Sequence, residues 1–134
     1  MSKTEIEETQ QLQLNFEKRG GLIPVIVQDA ESKEILMLGY ANKAAFEESV
    51  HSKLATFWST SRNELWTKGK TSGDYLEIKE IRVDCDQDAL IYIVRKKGLG
   101  ACHTKNSKGE TRNSCFYRRL MGNKKLEFIE VSPS

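Results

Sequence analysis

The sequence predicts an α+β fold, a small and mainly antiparallel β domain with a few short helices. Three observations lead there. Short apolar runs that alternate or stay continuous, as strands do, recur along the chain. A polar turn at "DAESKE" joins two of them in the manner of a hairpin. Few stretches read as helix, and a run of strands with a few helices packs as α+β.

Taken in order, residues 4–18, "TEIEETQQLQLNFEK", read as a polar helix with Ile6, Leu12, Leu14 and Phe16 loosely periodic. "GGLIPVIVQDA" is an apolar strand that turns back into "EILMLGY". Asn42 is the expected N-cap of a short helix, "NKAAFEESVHS", because its side chain can accept from a free amide of the first turn. "LATFWST", "ELWTK", "YLEIKEIRV" and "ALIYIVRK" follow as strands, and "SCFYRRL" and "KLEFIEV" close the chain as two more. No repeat, low-complexity tract or proline-rich linker interrupts it, so residues 1–134 are expected to form one domain.

With 38% hydrophobic and 30% charged residues, a chain of 134 residues can bury a core and is not of disordered composition. A net charge of +2 is too small to point to nucleic acid or a membrane surface. No apolar run approaches a bilayer span, and "MSKTEIEETQ" lacks the apolar stretch of a signal peptide. A cytoplasmic location is expected, where three cysteines stay reduced. Their odd number also argues against a closed disulfide set.

Those cysteines, with one histidine, form the pattern C-x16-C-H-x11-C at Cys85, Cys102, His103 and Cys115. Zinc binds thiolate and imidazole, and three protein ligands with one open position is the arrangement of a catalytic site. Three cysteines in a chain of this size are often just buried apolar residues. The glycine-rich setting of Cys102 and His103, "GLGACHTKNSKGE", favours ligands. His51, after the short helix, reads as solvated.

"IRVDCDQDALIYIV", residues 81–94, sets Asp84, Asp86 and Asp88 around Cys85. An EF-hand loop is excluded, because its sixth position is Ala89 and its twelfth Arg95. If the segment is a strand, the three carboxylates face one way and Cys85 the other. Two separate cations would then be expected, a hard one on oxygen and a soft one on sulfur. If instead the strand ends at Val83, residues 84–88 form a solvated turn. The residues alone leave both readings open.

A third cluster, "RNELWTKGKTSGDY" at residues 62–75, gathers features of a phosphate-binding loop. Its glycines let backbone approach an anion, Thr71 and Ser72 can donate, and Lys68 and Lys70 neutralise charge. Trp66 offers a face for a base. The Walker A spacing is absent, and an ordinary Lys/Gly/Ser-rich hairpin turn has the same composition.

Together, "LWTKGKTSG", "VDCDQDAL" and "CHT…SCFYRRL", in this order, resemble phosphoribosyl-AMP cyclohydrolases of histidine biosynthesis; "PVIVQDAESKEILMLGYANKAAFEES" and "ATFWSTSRNELW" extend the likeness. It spans roughly residues 20–119. No downstream segment matches the pyrophosphohydrolase domain fused in some relatives, so the stand-alone form is expected. The resemblance implies hydrolytic opening of adenine between N1 and C6 of phosphoribosyl-AMP. It implies zinc on Cys85, Cys102 and Cys115, magnesium on Asp84, Asp86 and Asp88, and a homodimer with metal sites near its interface. A zinc-activated water would attack C6, with His103 as proton shuttle or fourth ligand. Arg62, Lys68, Thr71, Ser72 and Gly73 would hold phosphate, and Trp66 would stack on the base or pack beneath the loop. Two departures stand out. Lys70 occupies a usually acidic place, and residues 104–114 form a longer link than usual.

Three other readings compete. A zinc nucleobase deaminase would need H-x-E and P-C-x-x-C, which are absent. An RNA-binding module would have only "RKK", "YRR" and "NKK" as basic patches. A non-catalytic protein would keep its cysteines in the core.

Overall fold

A computed structural model describes residues 2–129. After the short helix α1 (Lys3–Glu8), whose N-cap Ser2 accepts from the Glu5 amide at 3.2 Å, the backbone runs extended to a 3-10 turn at Glu17–Arg19. The strands are β1 (Ile23–Asp29), β2 (Ile35–Ala41), β3 (Thr56–Ser59), β4 (Glu64–Thr67), β5 (Leu76–Val83), β6 (Leu90–Lys96), β7 (Arg118–Leu120) and β8 (Leu126–Phe128). Helix α2 (Lys43–Ser52) separates β2 from β3.

Four strands form one sheet in the order β2-β1-β6-β5; β3-β4 and β7-β8 are separate hairpins. Most pairings are antiparallel, but β1 and β6 run parallel, with Val25 opposite Leu90. Along β1, Ile23, Val25 and Val27 are fully buried, as the period-2 pattern requires. They meet Leu36, Leu76, Leu90, Tyr92, Val94 and, from the overlying layer, Phe46 and Phe57.

Asn42 caps α2 as expected, accepting from the Ala45 amide at 2.8 Å. The helix turns Ala45, Phe46 and Ser49 inward, and the Ser49 hydroxyl both donates to the Thr56 carbonyl (3.0 Å) and accepts from its amide (2.9 Å). That exchange fixes the β3-β4 hairpin beneath the helix. Gly39 leaves the space into which Phe57 packs: a Cβ there would lie 2.5 Å from the ring.

One expected element is corrected. The helix over 4–18 stops at Glu8, because the following amides find partners elsewhere. Gln13 donates to the Gln87 side-chain carbonyl (2.6 Å) and Asn15 to the Gln87 backbone carbonyl (2.8 Å), while Leu14 and Phe16 pack on the core. The segment is a strap held by distant groups rather than a helix held by its own. The strand expected at "KLEFIEV" is β8; residues 130–131 of that expectation, and the rest of the tail, lie outside the described residues.

Candidate functional site

Strand β5 ends at Val83 and β6 begins at Leu90, so residues 84–89 form a turn. Asp84 makes it: its Oδ1 accepts from the amides of Asp88 (2.9 Å) and Ala89 (3.0 Å), and its carbonyl from Gln87 (3.2 Å). Gln87 adopts φ 58°, a left-handed conformation that costs a non-glycine residue strain. The strand geometry that would set Cys85 opposite three aligned carboxylates is thereby corrected; the turn is what forms. It is not merely solvated, since Asp88 and Gln87 are buried. Convergence also arises by a different route, for an oxygen of each of Asp84, Asp86 and Asp88 lies within 4.8 Å of the others. This acidic group could hold a metal ion.

Its charge is met by the strap. Lys18 Nζ donates to Asp88 Oδ2 and lies 3.5 Å from Asp86, and Arg19 Nη1 is 3.2 Å from Asp88 Oδ2. The Lys18 hydrogen bond holds the Asp88 carboxyl well below the usual range, and that same bond raises the Lys18 ammonium. Burial, in contrast, raises Asp84.

The link between His103 and Cys115, expected as a long loop, is a small hairpin. Lys105 pairs with Thr111, the Asn106 amide reaches the Glu110 carbonyl (2.9 Å), and the Arg112 amide the Thr104 carbonyl (3.1 Å). Gly100 permits the close return, since a Cβ there would come 2.5 Å from the Arg112 carbonyl oxygen. The Cys115 amide then donates to Leu36 in β2 (2.7 Å), anchoring the far end. Cys102 and Cys115 end as neighbours, close enough that each affects the ionisation of the other.

Their environments differ. Burial opposes ionisation of Cys102, but the Thr104 hydroxyl (2.9 Å) and amide (3.4 Å), with Cys115 and Arg112, hold its thiol below the ordinary value. Cys115 keeps an exposed surface, yet the protein packed around it and the adjacent Cys102 push its thiol up to about 11. Cys85 sits exposed on the aspartate turn, and no described group of three metal-binding side chains includes a cysteine.

A cavity of about 610 Å³ opens between the β3-β4 hairpin, α2 and the cysteine loop. Arg62, Trp66, Lys68, Thr71, Ser72 and His103 all line it, as does Lys70. Gly73 does not; at φ 84° it closes the turn by donating to the Gly69 carbonyl (2.7 Å). Trp66 does two things, packing on Phe57 (ring centroids 5.4 Å apart) and presenting surface to the cavity, with Lys68 Nζ 5.8 Å from its ring centroid.

Asp74 brings His103 there. Its Oδ1 accepts from the Leu99 amide (2.8 Å), Gly98 packs so closely that a Cβ would strike that carboxylate, and the Lys97 amide reaches the Tyr75 carbonyl (2.8 Å). Sequence reasoning passed over Asp74, although "SGD" before a strand is a turn signal. It also missed Glu48 and Glu64, the two carboxylates in the cavity wall. Glu48 is an exposed position of α2, and nothing in its sequence context marks it.

Comparison with known proteins gives one family throughout. The sequence profile of phosphoribosyl-AMP cyclohydrolase matches residues 37–117. The chain is 49% identical over 113 residues to a phosphoribosyl-AMP cyclohydrolase of Desulfatibacillum aliphaticivorans, covering 84% of this chain and 86% of the relative. It is 51% identical over 111 residues to that of Archaeoglobus fulgidus, covering 83% and 95%. Against that of Nitrosopumilus maritimus it is 51% identical over 107 residues, covering 80% and 93%.

Proposed function

Since this chain belongs to the phosphoribosyl-AMP cyclohydrolase family, we propose that it hydrolyses 1-(5-phosphoribosyl)-AMP, opening adenine between N1 and C6, in L-histidine biosynthesis. The convergence of His103 with Arg62, Trp66, Lys68, Thr71 and Ser72 on one cavity supports it best. Cationic and hydroxyl groups there suit a phosphate, an indole face suits a purine, and an imidazole suits proton transfer. The working form is a cytoplasmic homodimer of single-domain chains.

The donor sets fit two kinds of cation. Three carboxylates within 4.8 Å suit a hard ion, and magnesium is assigned to Asp84, Asp86 and Asp88. Paired thiols suit zinc, assigned to Cys102 and Cys115 with Cys85 of a second copy as third ligand. Exposure of Cys85 supports that arrangement, as does an apolar sheet face at Ile26 and Leu38 that a second copy would cover. Zinc so held supplies a water ionised near neutral pH.

The chain's own residues do the rest. Lys68, Thr71 and Ser72 bind a phosphate and fix the ring, with Trp66 beneath it. His103 takes a proton from the attacking water or gives one to the departing ring nitrogen. Lys70, which also lines the cavity, adds positive charge that favours an anionic substrate.

Turnover of phosphoribosyl-AMP, followed by the ultraviolet change as the purine opens, tests this directly. Activity should be lost on chelation and return only with zinc and magnesium together. An inactive, fully metallated protein would overturn the proposal.

A further inference from the structure

A second cavity, of about 430 Å³, adjoins the first, and Trp66 and Arg62 line both. Gly39, Tyr40, Phe57 and Trp58 supply its apolar walls; Ser59, Thr60 and Ser61 supply hydroxyls. The floor is rigid, because Phe57 is buried against Trp66 and fits only above the bare Gly39. The rim is a tight turn. Ser59 accepts from the Arg62 amide (3.2 Å) and, through its carbonyl, from Asn63 (2.7 Å), with Asn63 at φ 55°. That turn brings the Ser59 and Ser61 hydroxyls within 3.4 Å of each other, and Arg62, whose Nε lies 3.6 Å from Glu64 Oε1, also lines the wall. Paired hydroxyls and a guanidinium above aromatic walls are the chemistry of a phosphorylated sugar.

Resting on the function proposed above, we infer that this second cavity binds the ribose 5-phosphate on N9 of the substrate, the AMP arm. The substrate's two phosphoribosyl arms leave adenine from N1 and N9, on opposite rings, so a single pocket cannot take both phosphates. C6 is bonded to N1. Placing C6 near His103 therefore keeps the N1 arm with Lys68, Thr71 and Ser72 in the larger cavity. The N9 arm is directed across Trp66 into the smaller one, and Arg62 stands between the two. Specificity for a purine with two arms follows, because a nucleotide with one arm fills half of the site.

AMP is the probe, since it carries the N9 arm alone. Ser61 is exposed and, among the described residues, its hydroxyl makes one weak contact, so charge can be placed there without disturbing the fold. Ser61→Glu should weaken AMP inhibition and raise the KM for phosphoribosyl-AMP, each about tenfold, with kcat kept. Ser61→Lys should shift both in the opposite direction, a sign reversal that a merely structural disturbance does not produce. Lys68→Ala should raise the substrate KM yet leave AMP affinity unchanged. AMP affinity that ignores charge at position 61, or that falls with Lys68→Ala instead, overturns the second pocket while the activity stands. A metallated wild-type protein without turnover overturns the function itself.

Discussion

Lys18 and Asp88 lie 70 residues apart in the chain, and the ammonium of the first hydrogen-bonds the carboxylate of the second. The contact exists because Gln87, next to Asp88, takes up the extended segment before Lys18: its side-chain carbonyl accepts from Gln13 and its amide donates to the Gln11 carbonyl (3.1 Å). Strap and acidic turn are one unit, in which protein cations offset carboxylate repulsion.

Lys18→Met should make that repulsion visible. Lys18 is 48% exposed, so solvent screening keeps the loss of stability small, and it is read as a lowered Tm. Magnesium should then raise the variant's Tm more than the wild type's. Equal magnesium shifts in the two proteins would separate the strap from the metal group.

The same pair sets a pH dependence. Asp88 has its carboxyl depressed in the fold, so its stabilisation is fully present above the unfolded carboxylate value of about 3.9 and is lost as pH falls below it. Lys18 is raised, so its share persists until the solution is strongly alkaline. The Tm difference between wild type and Lys18→Met, measured without metal, should be flat from about pH 5 to 9 and shrink below pH 4. A difference that grows in acid contradicts the sign.

Gln87→Ala should release the strap. Loss of two part-buried hydrogen bonds costs about 1–2 kcal/mol, and amide exchange should accelerate over residues 11–19 before it does in β1. Gln87→Gly, which also relieves the positive φ, should be less destabilised while showing the same local exchange. Unchanged exchange in both variants would mean that Leu14 and Phe16 alone hold the segment.

Arg112 should govern zinc affinity through Cys102. Its guanidinium is stacked 3.9 Å from the Tyr117 ring centroid and donates to Thr104 Oγ1 (3.2 Å), which in turn contacts the Cys102 sulfur. Arg112→Met is expected to weaken zinc binding about tenfold in a chelator competition. Affinity equal to wild type would confine Arg112 to packing.

Asp74→Ala should lower kcat without unfolding the protein, because it frees the segment that carries His103. Asp74→Asn keeps an oxygen for the Leu99 amide and should retain most activity. If both variants lose activity equally, the carboxylate charge matters and the positioning role fails.

Strand positions, the Asn42 cap, the acidic group and the lysine–glycine loop were legible in the sequence, because each rests on local chemistry: period-2 burial, an amide-capping side chain, carboxylates two residues apart, glycines beside lysines. Membership of the family was legible too, in "LWTKGKTSG", "VDCDQDAL" and "SCFYRRL". Local pattern failed over residues 9–16, where the amides of Gln13 and Asn15, which a helix would have satisfied, are taken by Gln87, a partner more than seventy residues away. It could not choose between strand and turn at Asp84, because the choice depends on a side chain capturing amides four and five residues on. Residue types by themselves determined which chemistry this chain can hold. Tertiary contacts alone decided what meets what: Lys18 with Asp88, Gln13 with Gln87, and His103 with the lysine loop. These pairings depend on loop closures whose partners are far apart in sequence, so no local signal encodes them.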